Sequence, residues 1–412
     1  MKNLLLAIAS ALITGGCSGE DQLSALPQDG DIQVYFNHNQ TAGSVYTDYR
    51  GIERSGDNLE QLIIDGINNA QTSIDLAVQQ LNLPSVAEAL VAKAHDGVRV
   101  RVVVENEYNV ADAALSILKR SGKVQLIDDT ADGSKGSGLM HHKFMVIDRA
   151  QVITGSANFT FSGIHGDGTD PNTMGNVNHL MVIDSGPIAE AFTGEFNLLW
   201  QRKFGLQKPP RPPQTFTVGN NQITLKFSPA SPSTKFAQTT NGLIAQTLNQ
   251  AQSSVDLALF VFSDQTIVNS LKNRVSQGIT VRALIDQRFA FNDYSEGLDM
   301  LGVAMPNKDC KYETGNAPWS APITTMGTVN LPDGDKLHHK IAIVDETTVI
   351  TGSHNWSAAA NHNNDETLII IKNPTVAQHF DREFETLYSN STLGLPDRVI
   401  SKIQKKRRQC AL

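Results

Sequence analysis

Three cysteines in 412 residues are too few for a disulfide-built scaffold or a cysteine-rich metal centre. Beyond the N-terminus, no stretch reaches the ~18 to 20 consecutive apolar residues that a membrane-crossing helix requires. Positive charge is not in excess either. The 34 Lys and Arg against 42 Asp and Glu leave a formal charge of −8, which weighs against a dedicated nucleic-acid binder with a basic face. Hydrophobic residues at 40% and charged ones at 18% lack the bias of a disordered chain, and the length suffices for two ordinary domains.

What is present begins with MKNLLLAIASALITGGC: one Lys, an apolar run from Leu4 to Ile13, then small residues. This reads as a secretory signal peptide over residues 1–16. Thr14-Gly15-Gly16-Cys17 resembles a bacterial lipobox, which implies lipidation of Cys17, and Ser18 implies sorting to an outer membrane where one exists. The expected product is an exported, membrane-anchored lipoprotein, with plain secretion as the alternative. Residues 17–30 would be its tether. In an oxidising compartment Cys310 and Cys410 are expected to pair, pinning the basic tail 401–412 to an insertion; two buried thiols are the alternative.

The chain repeats itself. NNAQTSIDLAV at 68 returns as NQAQSSVDLAL at 249, and DGVRVRVVVE at 96 as QGITVRALID at 277. PIAEAFTGEFNLLW at 187 answers TVAQHFDREFETLY at 375. Each copy is domain-sized, far longer than a solenoid repeat. Within each, β-rich runs such as Ser73–Val78, Val98–Val104, Val124–Ile127, Lys143–Asp148 and His179–Ile183 alternate with helical patterns at Ser85–His95 and Pro187–Arg202. The pattern predicts a duplicated α/β sandwich: two similar domains with mixed β-sheets flanked by helices. They span 31–205 and 219–400. QKPPRPPQT reads as a stiff linker at 206–218.

The most telling repeat is HHKFMVIDRAQVITGSAN at 141 against HHKIAIVDETTVITGSHN at 338. Each reduces to His-x-Lys-x4-Asp, then Gly-Ser-x-Asn. The first supplies His141, Lys143, Asp148, Ser156 and Asn158; the second supplies His338, Lys340, Asp345, Ser353 and Asn355. Residues two apart on a strand share a face, so each His and Lys project together. Lys suits a phosphate oxygen, and His can attack or transfer a proton near neutral pH. The Gly-Ser turn and the Asn amide would approach an anion. Asp148 and Asp345, an odd number of positions from the His, would hold Lys or backbone in place within the catalytic set. Paired histidines raise the question of zinc. His142 and His339 point to the opposite face, however, and no Cys or carboxylate completes a tetrahedral set, so no metal is expected.

This pattern resembles the phospholipase D superfamily over essentially the whole chain after the leader. The resemblance implies two halves about a pseudo-two-fold axis, with one shared active site and no cofactor. One His attacks phosphorus to give a phosphohistidine while the other protonates the leaving alcohol and then activates water. Lys143, Lys340, Asn158, Asn355, Ser156 and Ser353 would bind the phosphate. The family's Asn-x-Glu, whose carboxylate orients an imidazole, is Asn364-Asp365-Glu366 in the second half. In the first half Asn178 stands where Glu is expected. With Glu366 beside His338 and Asn178 beside His141, His141 would be the nucleophile and His338 the general acid/base. Alternatively, Asp167 or Asp170 replaces the missing carboxylate. The implied activity is metal-independent hydrolysis of a phospholipid headgroup ester at a membrane surface, without an obligatory protein partner. Alternatives are an exported endonuclease acting on nucleic acid, a phosphatidyl transferase resembling cardiolipin synthase, and a non-catalytic anion-binding lipoprotein. Trp319, Met305 and Met326 either rim the cleft or pack a surface loop.

Overall fold

The computed structural model describes residues 23–107, 113–133 and 138–411; the expected signal peptide and Cys17 lie outside them. The repeats fold into two large sheets. The first orders its strands Ile32–Phe36, His179–Asp184, Gln151–Gly155, Lys143–Ile147, Ser73–Val78, Arg99–Val104 and Gln125–Asp128. The second repeats that order with Asn221–Phe227, Thr367–Lys372, Thr348–Gly352, Lys340–Val344, Ser254–Leu259, Thr280–Ile285 and Met326–Val329. It adds Gln214–Val218 at one edge and Ser391–Leu393 at the other. Ser73–Val78 pairs in parallel with Arg99–Val104, which demands a crossover, and helix Pro84–His95 supplies it. The same strand pairs antiparallel with Lys143–Ile147, so the sheet is mixed, as expected.

All six residues of Ser73–Val78 are buried, because helices cover both faces of the sheet. On the outer faces each half keeps its own apolar core. Between the sheets a third core draws on both halves. It is filled by helices Gly186–Trp200 and Pro374–Ser389, each opened by a side-chain cap (Ser185, Asn373) and by Pro in the first turn. Their phenylalanines reach across the seam: Phe192 meets Phe227 and Phe380 meets Phe36, both edge-on with centroids 5.3 Å apart. Each such ring contributes about 1.5–3 kcal/mol by burial, so the seam is a structural core in its own right.

Several boundaries move. Gln214–Val218 is not linker but an edge strand paired with Asn221–Phe227, because the prolines end at Pro213 and free the backbone to pair. Residues 24–30 do not hang as a tether: Gln28 pairs its amide with the Val34 backbone, and Asp29 accepts from Asn221 and Asn373. The basic tail starts in mid-helix, since Asp397–Gln409 is one helix with Val399 and Ile403 buried. Its end is tied down as predicted, by a Cys310–Cys410 disulfide. Trp319, Met305 and Met326 are buried in the second half's core rather than rimming a cleft. Among the described residues no helix is long and apolar enough to cross a membrane.

Candidate active site

His141 and His338 stand just ahead of the two motif strands, and each is held by the opposite half. The His141 N–H donates to the Asp365 carbonyl at 3.0 Å, and the His338 N–H donates to the Val177 carbonyl at 3.1 Å. Met140 bridges to Asp365 and Leu337 to Val177, so the segment before each motif strand crosses the seam. That crossing reverses the expected pairing. Glu366 Oε2 lies 2.7 Å from His141 Nδ1, not beside His338. Asn178 Oδ1 lies 2.9 Å from His338 Nδ1, not beside His141. Sequence distance suggested that each His uses the acceptor of its own half; the seam exchanges them. Asp167 and Asp170 replace nothing, since their carboxylates bond within their own exposed loop.

Both acceptors select one tautomer. A carboxylate cannot donate, and the Asn178 amide nitrogen is committed to the Gly163 carbonyl at 2.8 Å, so its oxygen faces His338. Each Nδ1 therefore carries the hydrogen, and each Nε2 keeps its lone pair with no hydrogen bond among the described residues. Burial pushes the His141 pKa down to about 4, with Lys143 adding to the shift and Glu366 opposing it. Burial likewise holds His338 well below the usual imidazole range, assisted by Lys340, Lys143 and His141. Glu366 is lowered to about 2: burial alone would raise it, but His141 and the motif lysine outweigh that.

The family described as "Cardiolipin synthase, PLD-like domain" matches residues 63–200 and 244–388, one copy per half. The chain belongs to the phospholipase D superfamily. A mitochondrial cardiolipin hydrolase of Xenopus tropicalis is 36% identical over 132 residues, 32% of this chain and 56% of the relative. A phospholipase D of Rickettsia conorii is 28% identical over 163 residues, 40% of this chain and 68% of the relative. The chain thus spans about half the length of the cardiolipin hydrolase it matches. In fold it is similar to a crystal structure of phosphatidylserine synthase from Haemophilus influenzae, with TM-score 0.61 and 12% identity over 95% of this chain and 96% of the other.

In this superfamily site the lysines lie behind the histidines, fully buried. Lys143 Nζ donates to the His141 carbonyl at 2.8 Å and to Gln79 Oε1 at 3.2 Å. Lys340 Nζ donates to the His338 carbonyl at 2.5 Å and sits 4.9 Å from the centre of the Phe260 ring. Burial pushes Lys143 down to about 7, which readies it for an anion that would restore its charge. Asn158 sits beside Lys143, since its amide also reaches Gln79 Oε1, at 3.3 Å. The amide oxygens of Asn158 and Asn355 are both buried and unpaired among the described residues.

Two expectations are corrected. Ser156 and Ser353 are spent on the orienting groups rather than on a phosphate: Ser156 Oγ donates to Asn178 Oδ1 at 2.8 Å, and Ser353 Oγ to Glu366 Oε2 at 2.6 Å. Their glycines serve close strand approach, for a Cβ on Gly352 would lie 2.2 Å from the Thr367 carbonyl oxygen. Asp148 and Asp345 lie past the far ends of the motif strands, away from the histidines. Each opens a three-residue hairpin connection whose first two residues have positive φ (52° and 56° for Asp148 and Arg149). The Asp148 carboxylate accepts the backbone N–H groups of Gln71, Thr72 and Ser73, and Asp345 those of Gln252, Ser253 and Ser254. They hold backbone, as anticipated, but not the reacting centre.

Some residues were missed. Glu105 accepts the Met140 N–H at 2.6 Å and Asp286 the Leu337 N–H at 2.9 Å, fixing the segment before each motif His. The signal was present: these are the acids that end the repeated DGVRVRVVVE and QGITVRALID. Gln79 and Phe260 occupy equivalent places, their N–H groups donating to the His142 and His339 carbonyls. They follow the last matched residues of the first repeat, where the match breaks. His142 and His339 do face away, toward Glu195 and Glu383.

Proposed function

We propose that this protein is a phosphodiesterase that hydrolyses a phospholipid headgroup ester through a phosphohistidine on His141. The carrying observation is the crossed pairing of two buried imidazoles with unlike acceptors. When His141 Nε2 attacks phosphorus, the ring becomes cationic with its Nδ1–H on Glu366, and an ionised carboxylate at 2.7 Å stabilises that charge. His141 thus keeps the nucleophile's role, for a reason opposite to the one its sequence suggested.

His338 Nε2 takes up a proton from solvent as the anionic phosphodiester binds, and the leaving oxygen takes that proton as the P–O bond to the headgroup breaks. Asn178 gives that imidazolium no compensating charge, which makes it a strong acid. His338, now neutral, takes a proton from water whose oxygen attacks phosphorus. The N–P bond breaks, its electron pair returns to His141 Nε2, and phosphatidic acid leaves. Lys143 and Lys340 hold the non-bridging oxygens.

The choice of a lipid is supported by the names of the relatives, by the acidic chain and by the anchor expected at Cys17, which would keep the enzyme at an exported membrane face. The test uses mixed phospholipid vesicles and single-stranded DNA in parallel, with EDTA present and His141→Ala alongside. Free headgroup from the parent alone is the expected result. Cleaved DNA with intact lipid would replace the reading by an exported endonuclease, and lipid-to-lipid exchange products by a transferase. Inactivity on both substrates would leave an anion-binding lipoprotein.

A further inference from the structure

Behind the seam, the proline segment and strand Asn221–Phe227 enclose a cavity of about 420 Å³, within the size of small-molecule sites. Three cations line it: Lys208, Arg211 and Lys226. Two are already matched. Lys208 Nζ bonds Asp365 at 2.6 Å as well as Glu195, and Arg211 reaches Glu195 Oε2 at 2.7 Å. Lys226 is not. It is only 6% exposed, and its ammonium donates to the Arg211 carbonyl at 2.7 Å. Among the described residues no carboxylate lies within ion-pair distance of it. A buried ammonium with one hydrogen bond and no ion pair is costly, and burial lowers its pKa although the more distant Glu195 opposes the shift. One side of the wall is apolar, formed by Phe227, Pro229 and the prolines from 209 to 213, while Glu195 and several hydroxyl and amide side chains complete the lining.

We propose that this cavity binds an acidic amphiphile, with its anionic head against Lys226 and Arg211 and its apolar body along Phe227 and the prolines. The site is distinct from the proposed catalytic one but is tied to its frame through one ion pair. Asp365, held by Lys208, also accepts the His141 backbone N–H at 3.0 Å. The inference does not depend on which phosphodiester the enzyme cleaves.

Calorimetric titration of the full chain with monomeric dihexanoyl phosphatidate tests it, with inorganic phosphate as the bare-anion control. Binding should survive Lys340→Met, which disables the catalytic phosphate site, and weaken at least ~10-fold in Lys226→Met, which keeps the apolar stem and removes the charge. Pro210→Glu, a change at an exposed cavity-lining position, should weaken binding by repulsion and guards against a folding artefact in the first variant. Inorganic phosphate should bind at least ~10-fold more weakly than the phosphatidate, because it cannot use the apolar wall. Absent binding, or binding lost in Lys340→Met yet unchanged in both cavity variants, would overturn the proposal. So would phosphate binding as tightly as the lipid.

Discussion

Beside the first motif lysine the chain carries Gln79; at the equivalent place beside the second it carries Phe260. Behind the first motif His stands a carboxylate, and behind the second an amide. The frame around these positions is the same in both halves: sheet order, hairpin aspartates, serines under the orienting groups, acids holding the preceding turn. Duplication supplied a symmetric cradle, and divergence was spent on the groups that touch the reaction. The proposed two-step reaction would use this: one imidazole would bear a covalent phosphoryl group while the other only carries a proton, so identical surroundings would suit neither.

The largest expected break in the symmetry comes from removing each imidazole in turn. His141→Ala and His338→Ala should both lose ~10³-fold or more in headgroup release, since nucleophile and proton carrier each supply that much. They should differ in what accumulates. His338→Ala, offered a substrate with a good leaving group, can form the phosphoenzyme but not hydrolyse it, so mass spectrometry of the quenched protein should find the adduct there. An adduct on His141→Ala instead would reverse the roles.

Exchanging the acceptors sharpens the same comparison. Glu366→Gln should cost ~10²-fold or more in kcat, by analogy with loss of the orienting carboxylate in a Ser-His-Asp triad. Glu366 raises the His141 pKa, so its removal should lower that pKa below about 4 and move the acid limb of kcat/KM to lower pH. Asn178→Asp should act in the other direction, raising the His338 pKa and with it the pH at which that imidazole loses its proton, at a smaller cost of ~10-fold. An unmoved acid limb in Glu366→Gln would mean that His141 is not the group titrating there.

The strands, the duplication and the two His-Lys motifs were legible because each rests on local pattern: periodicity, spacing, repetition. What was not legible is what the seam decides. Whether Glu366 meets His338 or His141 depends on residues 365–366 crossing to residues 140–141, a contact between positions 225 apart in the chain. Likewise Ser156 and Ser353 look like phosphate ligands in a Gly-Ser turn until their hydroxyls are seen committed to Asn178 and Glu366. The linker's end was misread because prolines dominate its composition, while the five residues after them obey strand rules.

A subtler exchange concerns the unlike neighbours of the lysines. Phe260 packs 4.8 Å from the His338 ring and 4.7 Å from Phe289, so the His338 side of the site is walled by aromatics. Gln79 keeps the His141 side polar. Phe260→Gln should change KM for the leaving alcohol by several-fold with kcat less affected, whereas Gln79→Phe should lower kcat by disturbing Lys143. Steady-state kinetics on esters differing only in headgroup checks this; equal effects of both changes on all headgroups would mean that the asymmetry does not select the leaving group.

The smallest effect on catalysis should come from the motif's own aspartates. Asp148 sits below its ordinary pKa: burial would raise it, but hydrogen bonds from Ser73, Gln71 and Thr72 outweigh that. Asp148→Asn keeps a residue that tolerates the left-handed turn but confronts three backbone donors with a half-donor amide, so stability should fall by about 1–3 kcal/mol. A depressed carboxylate contributes stability that is present above its unfolded pKa and lost as pH falls through the folded one. Chemical denaturation should therefore show the parent losing more stability than Asp148→Asn between neutral pH and pH ~3. Per folded molecule kcat should be unchanged, and Asp345→Asn should behave alike because its turn is built the same way. A large loss of kcat in either, at full folding, would return these aspartates to the reaction centre that the hairpin turns keep at the other end of the strand.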